Sequence, residues 1–101
     1  MHAASADTID RFIDALWLED GLSANTLAAY RRDLGLYAAW LQAQGRPPLA
    51  ESGEADLQAY FAARHAQTRA TTANRRLTVL KRYFRWALRE GRIQADPTLR
   101  L

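Results

Sequence analysis

The side chains of this sequence that could do chemistry are concentrated in one basic segment, residues 73–91, ANRRLTVLKRYFRWALREG. It holds six basic side chains against the single acid Glu90, with apolar residues between the charges at helical intervals. If this segment forms an α-helix with 100° per residue, the helix is about 28 Å long and five of its polar residues fall on one side. We call them the cationic ridge: Arg75, Thr78, Arg82, Arg85 and Arg89. A row of cations can bind a polyanion, and arginine suits bidentate contacts to phosphate or guanine edges.

The ridge arginines lack acidic partners within their own helix. No acid lies three or four residues from any of them, and the single acid Glu90 is adjacent to Arg89 and five residues from Arg85. Their mutual repulsion of a few tenths of a kcal/mol per pair is therefore uncompensated within the helix. An external polyanion would compensate it, which favours nucleic acid as the partner. An acidic protein, a membrane surface and a plain solvated helix face stay open as alternatives.

Composition points to one compact domain. The chain has 101 residues, 49 % of them hydrophobic, enough for a core of its own. It has no cysteine, which excludes disulfides, thiolate metal sites and a thiol nucleophile. There is no signal-peptide pattern and no apolar run of the roughly 18 residues that a membrane span requires. We therefore expect a soluble, cytoplasmic protein without metal or cofactor; an isolated histidine such as His65 cannot build a metal site.

Charge is distributed unevenly along the chain. The net charge is +3, but residues 69–92 hold eight Lys or Arg against one acid, whereas residues 1–68 hold five Arg against nine acids. Thirteen of the fourteen basic residues are arginine. The positive field is thus a local feature of the basic segment, which suggests a partner for that segment.

Every longer apolar pattern has the i, i+3, i+4 spacing of a helix, so we predict an all-α fold. The predicted helices cover residues 8–19, 24–44, 55–66 and 72–90. The fourth helix should bury Ala73, Leu77, Leu80, Phe84, Ala87 and Leu88.

Capping residues set the predicted helix ends. Asp7 or Thr8 should cap the first helix, Ser23 the second, and Thr71 or Thr72 should precede the fourth. Gly21, Gly45 and Gly91 should follow the ends of the first, second and fourth helices. Asp10 and Asp14 are interpreted as carboxylates near a helix N-terminus, not as a catalytic pair.

The second predicted helix offers a further polar surface. Its outer face carries Asn25, Ala28, Ala29, Arg32 and Leu36, and its small residues would allow close approach to a partner. Its N-terminal amides favour a phosphate, to which Ser23 and Thr26 could also hydrogen-bond.

Two stretches, SANTLAAYRRDLGLYAAWLQAQG and TTANRRLTVLKRYFRWALREGRIQADPT, resemble the core-binding domain of the tyrosine recombinases, the phage-integrase N-terminal SAM-like fold. The resemblance covers roughly residues 8–99 and is greatest to the bacterial Xer recombinases. It implies an orthogonal four-helix bundle that clamps one face of duplex DNA, with the second and fourth helices toward the major groove.

The resemblance also implies the DNA-binding residues. In the first motif they are Ser23, Asn25, Thr26, Arg31 and Arg32, with Tyr30 packing on the apolar stripe and only its polar tip free. In the second motif they are Thr71, Thr72, Asn74, Arg75, Arg76, Thr78, Lys81 and Arg82, and the ridge itself adds Arg85. Arg76 lies at the edge of the apolar stripe.

The family's catalytic arginines, lysine, histidines and nucleophilic tyrosine belong to a separate C-terminal domain. None of the four tyrosines here follows that pattern, so we expect residues 1–95 to bind DNA without cutting it and residues 96–101 to begin a linker. The resemblance implies double-stranded DNA and a partner recombinase in a tetramer on DNA, acting in chromosome dimer resolution, with the isolated domain a monomer. The alternative is a helical adaptor that binds proteins through Trp17, Leu18 and Trp40.

Overall fold

The computed structural model describes all 101 residues as a bundle of four α-helices without strands, which confirms the all-α prediction. The helices are α1 (Ala3–Ala15), α2 (Ala24–Ala43), α3 (Glu54–Arg64) and α4 (Ala70–Arg89). A π-helical turn, Leu16–Asp20, extends α1, and short 3-10 turns occupy Leu49–Glu51 and His65–Gln67. None of the helices combines the length and the apolarity needed to cross a membrane.

The start of α1 was predicted wrongly. The helix begins at Ala3 instead of residue 8, because the run AASA has high helix propensity and Ser5 faces the interior. The Oγ of Ser5 accepts a hydrogen bond from the backbone N–H of Leu49 at 2.9 Å. Thr8 is therefore a buried residue within the helix and not its cap. Asp10 and Asp14 lie beyond the first turn, so their interpretation as helix-N-terminal carboxylates is wrong as well.

The ends of α2 follow the local rules. Ser23 caps the helix, its Oγ accepting the backbone N–H of Thr26 at 3.2 Å, and Gly45 after the C-terminus has a positive φ of 66°. The predicted start of α4 is wrong, because Thr71 and Thr72 lie in its first turn and Arg69 occupies the N-cap position without a side-chain hydrogen bond.

The centre of the bundle is an aromatic seam between α1 and α4. The ring of Phe12 packs edge-on against Tyr83 at a centroid distance of 5.5 Å and contacts Trp86 at 5.4 Å. The hydroxyl groups of Tyr83 and Thr8 are hydrogen-bonded at 2.9 Å within this buried seam. A polar pair inside the core fixes how α1 lies across α4, because any slip would leave two buried hydroxyl groups unpaired.

The buried face of α4 differs from the predicted stripe. Leu80, Phe84 and Ala87 are buried as predicted, but Leu88 is 41 % exposed and Leu77 only half-buried. The additional buried residues are Val79, Tyr83 and Trp86. At 100° per residue the centre of the buried face is displaced by roughly 70° from the prediction. Arg75 and Arg82 consequently lie at the edge of the core, within reach of neighbouring helices.

A second aromatic cluster joins α2 to α3. Tyr37 of α2 is buried against Tyr60 of α3, with ring centroids 4.9 Å apart. Trp40 is half-buried and packs on both rings, and Arg46 lies over its indole at 5.1 Å. Trp40 is therefore largely committed to intramolecular packing.

Buried tyrosines should make the fold sensitive to alkali. Burial raises the pKa of Tyr37, Tyr60 and Tyr83 above the ordinary value of 10.0. The unfolded chain releases these protons near pH 10 and the folded chain only at higher pH, so their contribution to stability is complete below pH 10 and is lost above it. We expect the free energy of unfolding to fall by up to about 1.4 kcal/mol per group and pH unit there. Urea unfolding from about pH 8 to 11.5, followed with phenolate absorbance, tests this, and a pH-independent stability would contradict it.

Candidate nucleic-acid interface

One buried carboxylate joins the two helices that carry the predicted binding residues. Asp33 of α2 has a side chain only 2 % exposed and accepts two hydrogen bonds from Arg75 of α4. The Nε atom of Arg75 donates to Oδ2 at 2.8 Å and its Nη2 atom to Oδ1 at 2.9 Å. The Nε atom of Arg76 lies 3.8 Å from the same carboxylate. The two sequence motifs are thus brought together by an ion pair between residues 42 positions apart.

Asp33 belongs to this candidate site but is not among the residues predicted from the sequence. It follows Tyr30 by three residues and precedes Tyr37 by four, so it lies beside the apolar stripe of α2. An acid at that position of an otherwise apolar face was the available signal. Hydrogen bonding to Asp33, together with its negative charge, raises the pKa of Arg75. Arg75 therefore keeps a fixed geometry while its side chain stays 42 % exposed.

A second junction holds Arg82 between α2 and the end of α1. Its Nη1 atom donates to the hydroxyl of Tyr30 at 3.2 Å and its Nη2 atom to Oδ2 of Asp20 at 2.7 Å. The guanidinium also lies over the Tyr30 ring, 5.7 Å from its centroid. Tyr30 is half-buried, as predicted. Two turns further along α4, Arg89 donates to Glu19 at 3.0 Å.

The ridge arginines therefore do have acidic partners on other helices of the molecule. Repulsion within α4 is relieved by carboxylates of α1 and α2, at sequence separations of 42, 62 and 70 residues. Among the ridge arginines, Arg85 is exposed and makes no ion pair or hydrogen bond. The prediction from the sequence considered acids of the same helix alone and proposed an external polyanion as the compensating partner, since periodicity along one helix carries no information on acids of other helices.

The predicted residues of α2 lie at or near its N-terminal half. Ser23 and Asn25 are exposed and Thr26 is half-buried, with Ser23 Oγ donating to Thr26 Oγ1 at 3.0 Å. Arg31 pairs with Asp10 of α1, whereas Arg32 is exposed without a partner in the structure.

The remaining predicted residues extend along α4. Thr71, Asn74 and Thr78 are exposed and Thr72 is half-buried; the Thr78 hydroxyl donates to the backbone carbonyl of Asn74 at 3.0 Å. Lys81 is half-buried, and its Nζ atom donates to the carbonyl of Leu101 at 2.6 Å, so part of its charge is already engaged.

Taken together, α2 and α4 present a surface without acidic side chains. The two helices carry eight basic residues, and their single acid is the buried Asp33. Glu19 and Asp20, at the end of α1, border this surface and reach Arg89 and Arg82. The arrangement can hold a polyanion by exposed arginines, hydroxyl groups and an amide positioned on two rigid helices.

Residues 9–91 match the family described as phage integrase, N-terminal SAM-like domain. The chain belongs to this family of SAM-like domains. It is similar to the tyrosine recombinases XerD of several bacteria. The chain is 60 % identical to the XerD of Ralstonia nicotianae over 95 residues. It is 44 % identical to the XerD of Shewanella oneidensis over 90 residues and 40 % identical to the XerD of Pseudomonas putida over 102 residues. These alignments cover 94, 88 and 100 % of the chain. The chain spans 30 to 34 % of the length of these relatives.

Replacing the buried carboxylate tests the junction of α2 and α4. In Asp33→Asn the amide keeps the volume of the side chain but loses its charge, so neither hydrogen bond from Arg75 is charge-assisted any longer. We expect the free energy of unfolding to fall by about 2 kcal/mol, a value that already allows for the partial exposure of Arg75. Asp10→Asn is the matched control, because its pair with Arg31 is exposed on both sides and should contribute about 0 to 1 kcal/mol. Urea unfolding measures both, and equal losses would contradict a special role of Asp33.

Proposed function

We propose that this chain is the DNA-binding module of a site-specific tyrosine recombinase of the Xer type, and that α2 and α4 together clamp duplex DNA. The observation that carries the proposal is the acid-free surface of these two helices, with their only carboxylate buried beneath it. DNA is a dense row of phosphates, and such a surface meets it without like-charge repulsion. The similarity to proteins named tyrosine recombinase XerD supports the same conclusion.

Three groups of arginine would contribute differently to DNA binding. Arg32 and Arg85 have no intramolecular partner and can contact phosphates without giving up an ion pair. Arg82 and Arg89 must exchange a carboxylate for a phosphate, while Arg75 stays fixed by Asp33 and can contact DNA with its free Nη1 group. The predicted polar groups Ser23, Asn25, Thr26, Thr71, Thr72, Asn74 and Thr78 add hydrogen bonds to phosphates or base edges.

The module would bind DNA, and strand breakage and rejoining would be carried out by other parts of a longer recombinase. The relatives' threefold greater length leaves room for such a part. Residues 1–95 form the binding domain in this proposal and residues 96–101 begin the connection, with Thr98 buried and Leu101 against the core. The isolated module would be monomeric, and the whole protein would join a partner recombinase in a tetramer on DNA and act in chromosome dimer resolution.

Salt dependence is the first test of the clamp. If about five cations neutralise phosphates, log K should fall with log salt at a slope near −4 to −5, since each contact contributes about −0.9. Arg85→Ala and Arg32→Ala should each lessen this slope by about one if they contact phosphate. A change in sequence preference, costing roughly 1 to 3 kcal/mol on the preferred site, would instead identify a base contact. The measurement is a fluorescence titration of duplex DNA from about 50 to 300 mM salt.

Arg11→Ala is the control for this titration, because Arg11 lies on α1 and is engaged with Asp7 at 3.0 Å. It should leave both affinity and slope nearly unchanged. Salt-independent binding, or equal effects of Arg11→Ala and Arg85→Ala, would reject the surface of α2 and α4 as the binding site. The DNA strands are afterwards separated on a denaturing gel, where a protein-linked nick would reject binding without cleavage.

Neutralising the acids that border the surface should strengthen DNA binding. Asp20→Asn and Glu19→Gln free Arg82 and Arg89 and remove two negative charges beside the phosphates. Because both ion pairs are exposed and worth about 0.2 to 1 kcal/mol, we expect a gain of roughly twofold to fivefold per substitution. Asp14→Asn on α1 changes the charge equally but touches no residue of α4, and should have a smaller effect. The same titration measures all three, and weaker binding of the Asp20 variant would show that the carboxylate orients Arg82 productively.

A protein-binding adaptor is the second candidate. It is favoured by Trp17 and Leu18, which are 57 % and 80 % exposed at adjacent positions of the π-helical turn. Trp40, packed on Tyr37 and Tyr60, adds little to such a patch. An adaptor would show no salt-dependent affinity for DNA in the titration above.

A further inference from the structure

Residues 92–101 fold back onto the bundle, and we call them the C-terminal strap. They follow Gly91, whose positive φ of 72° turns the chain at the end of α4. The backbone N–H of Arg92 donates to the carbonyl of Ala87 at 2.9 Å, and the Arg92 guanidinium lies over the Trp86 ring, 5.1 Å from its centroid. The strap therefore begins in contact with the helix that it follows.

A compact turn in the strap is closed by hydrogen bonds. Oδ1 of Asp96 accepts the backbone N–H of Thr98 at 2.8 Å and the Thr98 hydroxyl at 2.6 Å. The backbone N–H of Leu101 donates to the carbonyl of Thr98 at 3.0 Å, and Thr98 is only 2 % exposed. These contacts give the strap a defined conformation.

Two apolar side chains anchor the strap. Ile93 and Leu101 pack against the core of the bundle. Leu101 also lines a groove together with Phe61 of α3 and Leu77 of α4. Leu99, two residues earlier, is 80 % exposed. Leu101 is therefore an anchor of the strap, and Leu99 is not.

A hydrogen bond connects the strap to the predicted DNA-binding residues of α4. The Nζ atom of Lys81 donates to the carbonyl of Leu101 at 2.6 Å. Lys81 follows Thr78 by three residues and precedes Arg85 by four, so it lies on the same side of α4 as these two residues of the ridge. The strap thus holds the one lysine of the chain beside the cationic ridge.

The contact with the strap leaves donors of Lys81 free. An ammonium group has three N–H donors, and the Leu101 carbonyl accepts from one of them. The carbonyl has no net charge, whereas Arg82 and Arg89 are paired with carboxylates that neutralise them. Lys81 can therefore bind an anion without giving up its contact with the strap.

We propose that the strap is a positioning element for DNA binding, because it orders the flexible Lys81 side chain, whose free donors then bind a DNA phosphate. The inference rests on the proposed function and adds to it residues 92–101, none of which was predicted to take part in binding. Ordering a long side chain opposes association, and a lysine held by the strap has lost part of its freedom beforehand. DNA binding and the order of the strap should strengthen each other, since coupling between two sites is reciprocal.

The first experiment tests the strap without DNA. Leu101→Ser removes an apolar anchor at unchanged charge, and Leu99→Ser is the matched control. All proteins carry a C-terminal amide, so that Lys81 meets a carbonyl and no terminal carboxylate. Backbone amide relaxation measured by NMR should show residues 96–101 ordered in the unchanged chain and in Leu99→Ser, but mobile in Leu101→Ser. A strap that is mobile in the unchanged chain, or that stays ordered in Leu101→Ser, would overturn the proposal.

Titration with duplex DNA is the second experiment. Leu101→Ser should weaken DNA binding roughly twofold to tenfold, the effect of leaving one long side chain unordered. The slope of log K against log salt should stay nearly the same, because Lys81 keeps its charge, whereas Lys81→Gln should lessen it by about one. In the Lys81→Gln background, Leu101→Ser should have no further effect. Equal weakening with and without Lys81 would indicate a merely structural role of Leu101 and would overturn the proposal.

The reciprocal effect is measured on the strap with DNA bound. Saturating DNA should slow hydrogen exchange of the Leu101 amide, which donates to Thr98, in the unchanged chain but not in Lys81→Gln. DNA binding that is insensitive to Leu101→Ser would overturn the positioning role alone. Absence of DNA binding by every variant would reject the proposed function, and the positioning role with it.

Discussion

The buried carboxylate of Asp33 is the constraint on which the polar surface depends. Its two short hydrogen bonds to Arg75 leave little freedom in how α4 lies on α2, and the Nε atom of Arg76 approaches the same group from the next position of the helix. An unpaired carboxylate at 2 % side-chain exposure would be costly, so the folded bundle depends on the pairing of Asp33 with α4. The same contact keeps the negative charge beneath the surface and presents the positive charges outward.

The sequence predicts those features that depend on neighbours along the chain. Ser23 and Gly45 bound α2 because capping involves residues within one turn, and the apolar periodicity is sufficient to identify four helices. The prediction is wrong at the starts of α1 and α4, where no side chain caps the helix and the chain continues into Ala3–Ala6 or Ala70–Thr72. The displaced core face of α4 and the partners of Arg75, Arg82 and Arg89 depend on packing between distant helices, which single-helix periodicity does not contain. The predicted DNA contacts themselves stay predictions.

The π-helical turn at Leu16–Asp20 connects the core to the border of the binding surface. Leu16 is still buried beside Phe12, whereas Trp17 and Leu18 point to solvent and Glu19 and Asp20 reach α4. A turn closed by i→i+5 bonds is wider than an α-helical one and changes the direction of each later side chain. Without that change, the two acids would occupy other angles around α1. The turn therefore determines which cations of α4 form ion pairs with Glu19 and Asp20 in the absence of a bound polyanion.

The paired arginines are suited to exchanging a carboxylate partner for a phosphate. Ordering a long side chain on binding costs about 0.5 to 1.5 kcal/mol, and an arginine already held by a carboxylate has lost part of that freedom beforehand. The pairs of Arg82 and Arg89 are solvent-exposed, so replacing the carboxylate by a phosphate requires little desolvation. Arg75 differs, because its partner is buried and cannot leave. A polyanion would thus meet one arginine that is fixed permanently and two that are oriented but exchangeable, and that difference follows from where each acid lies relative to the core.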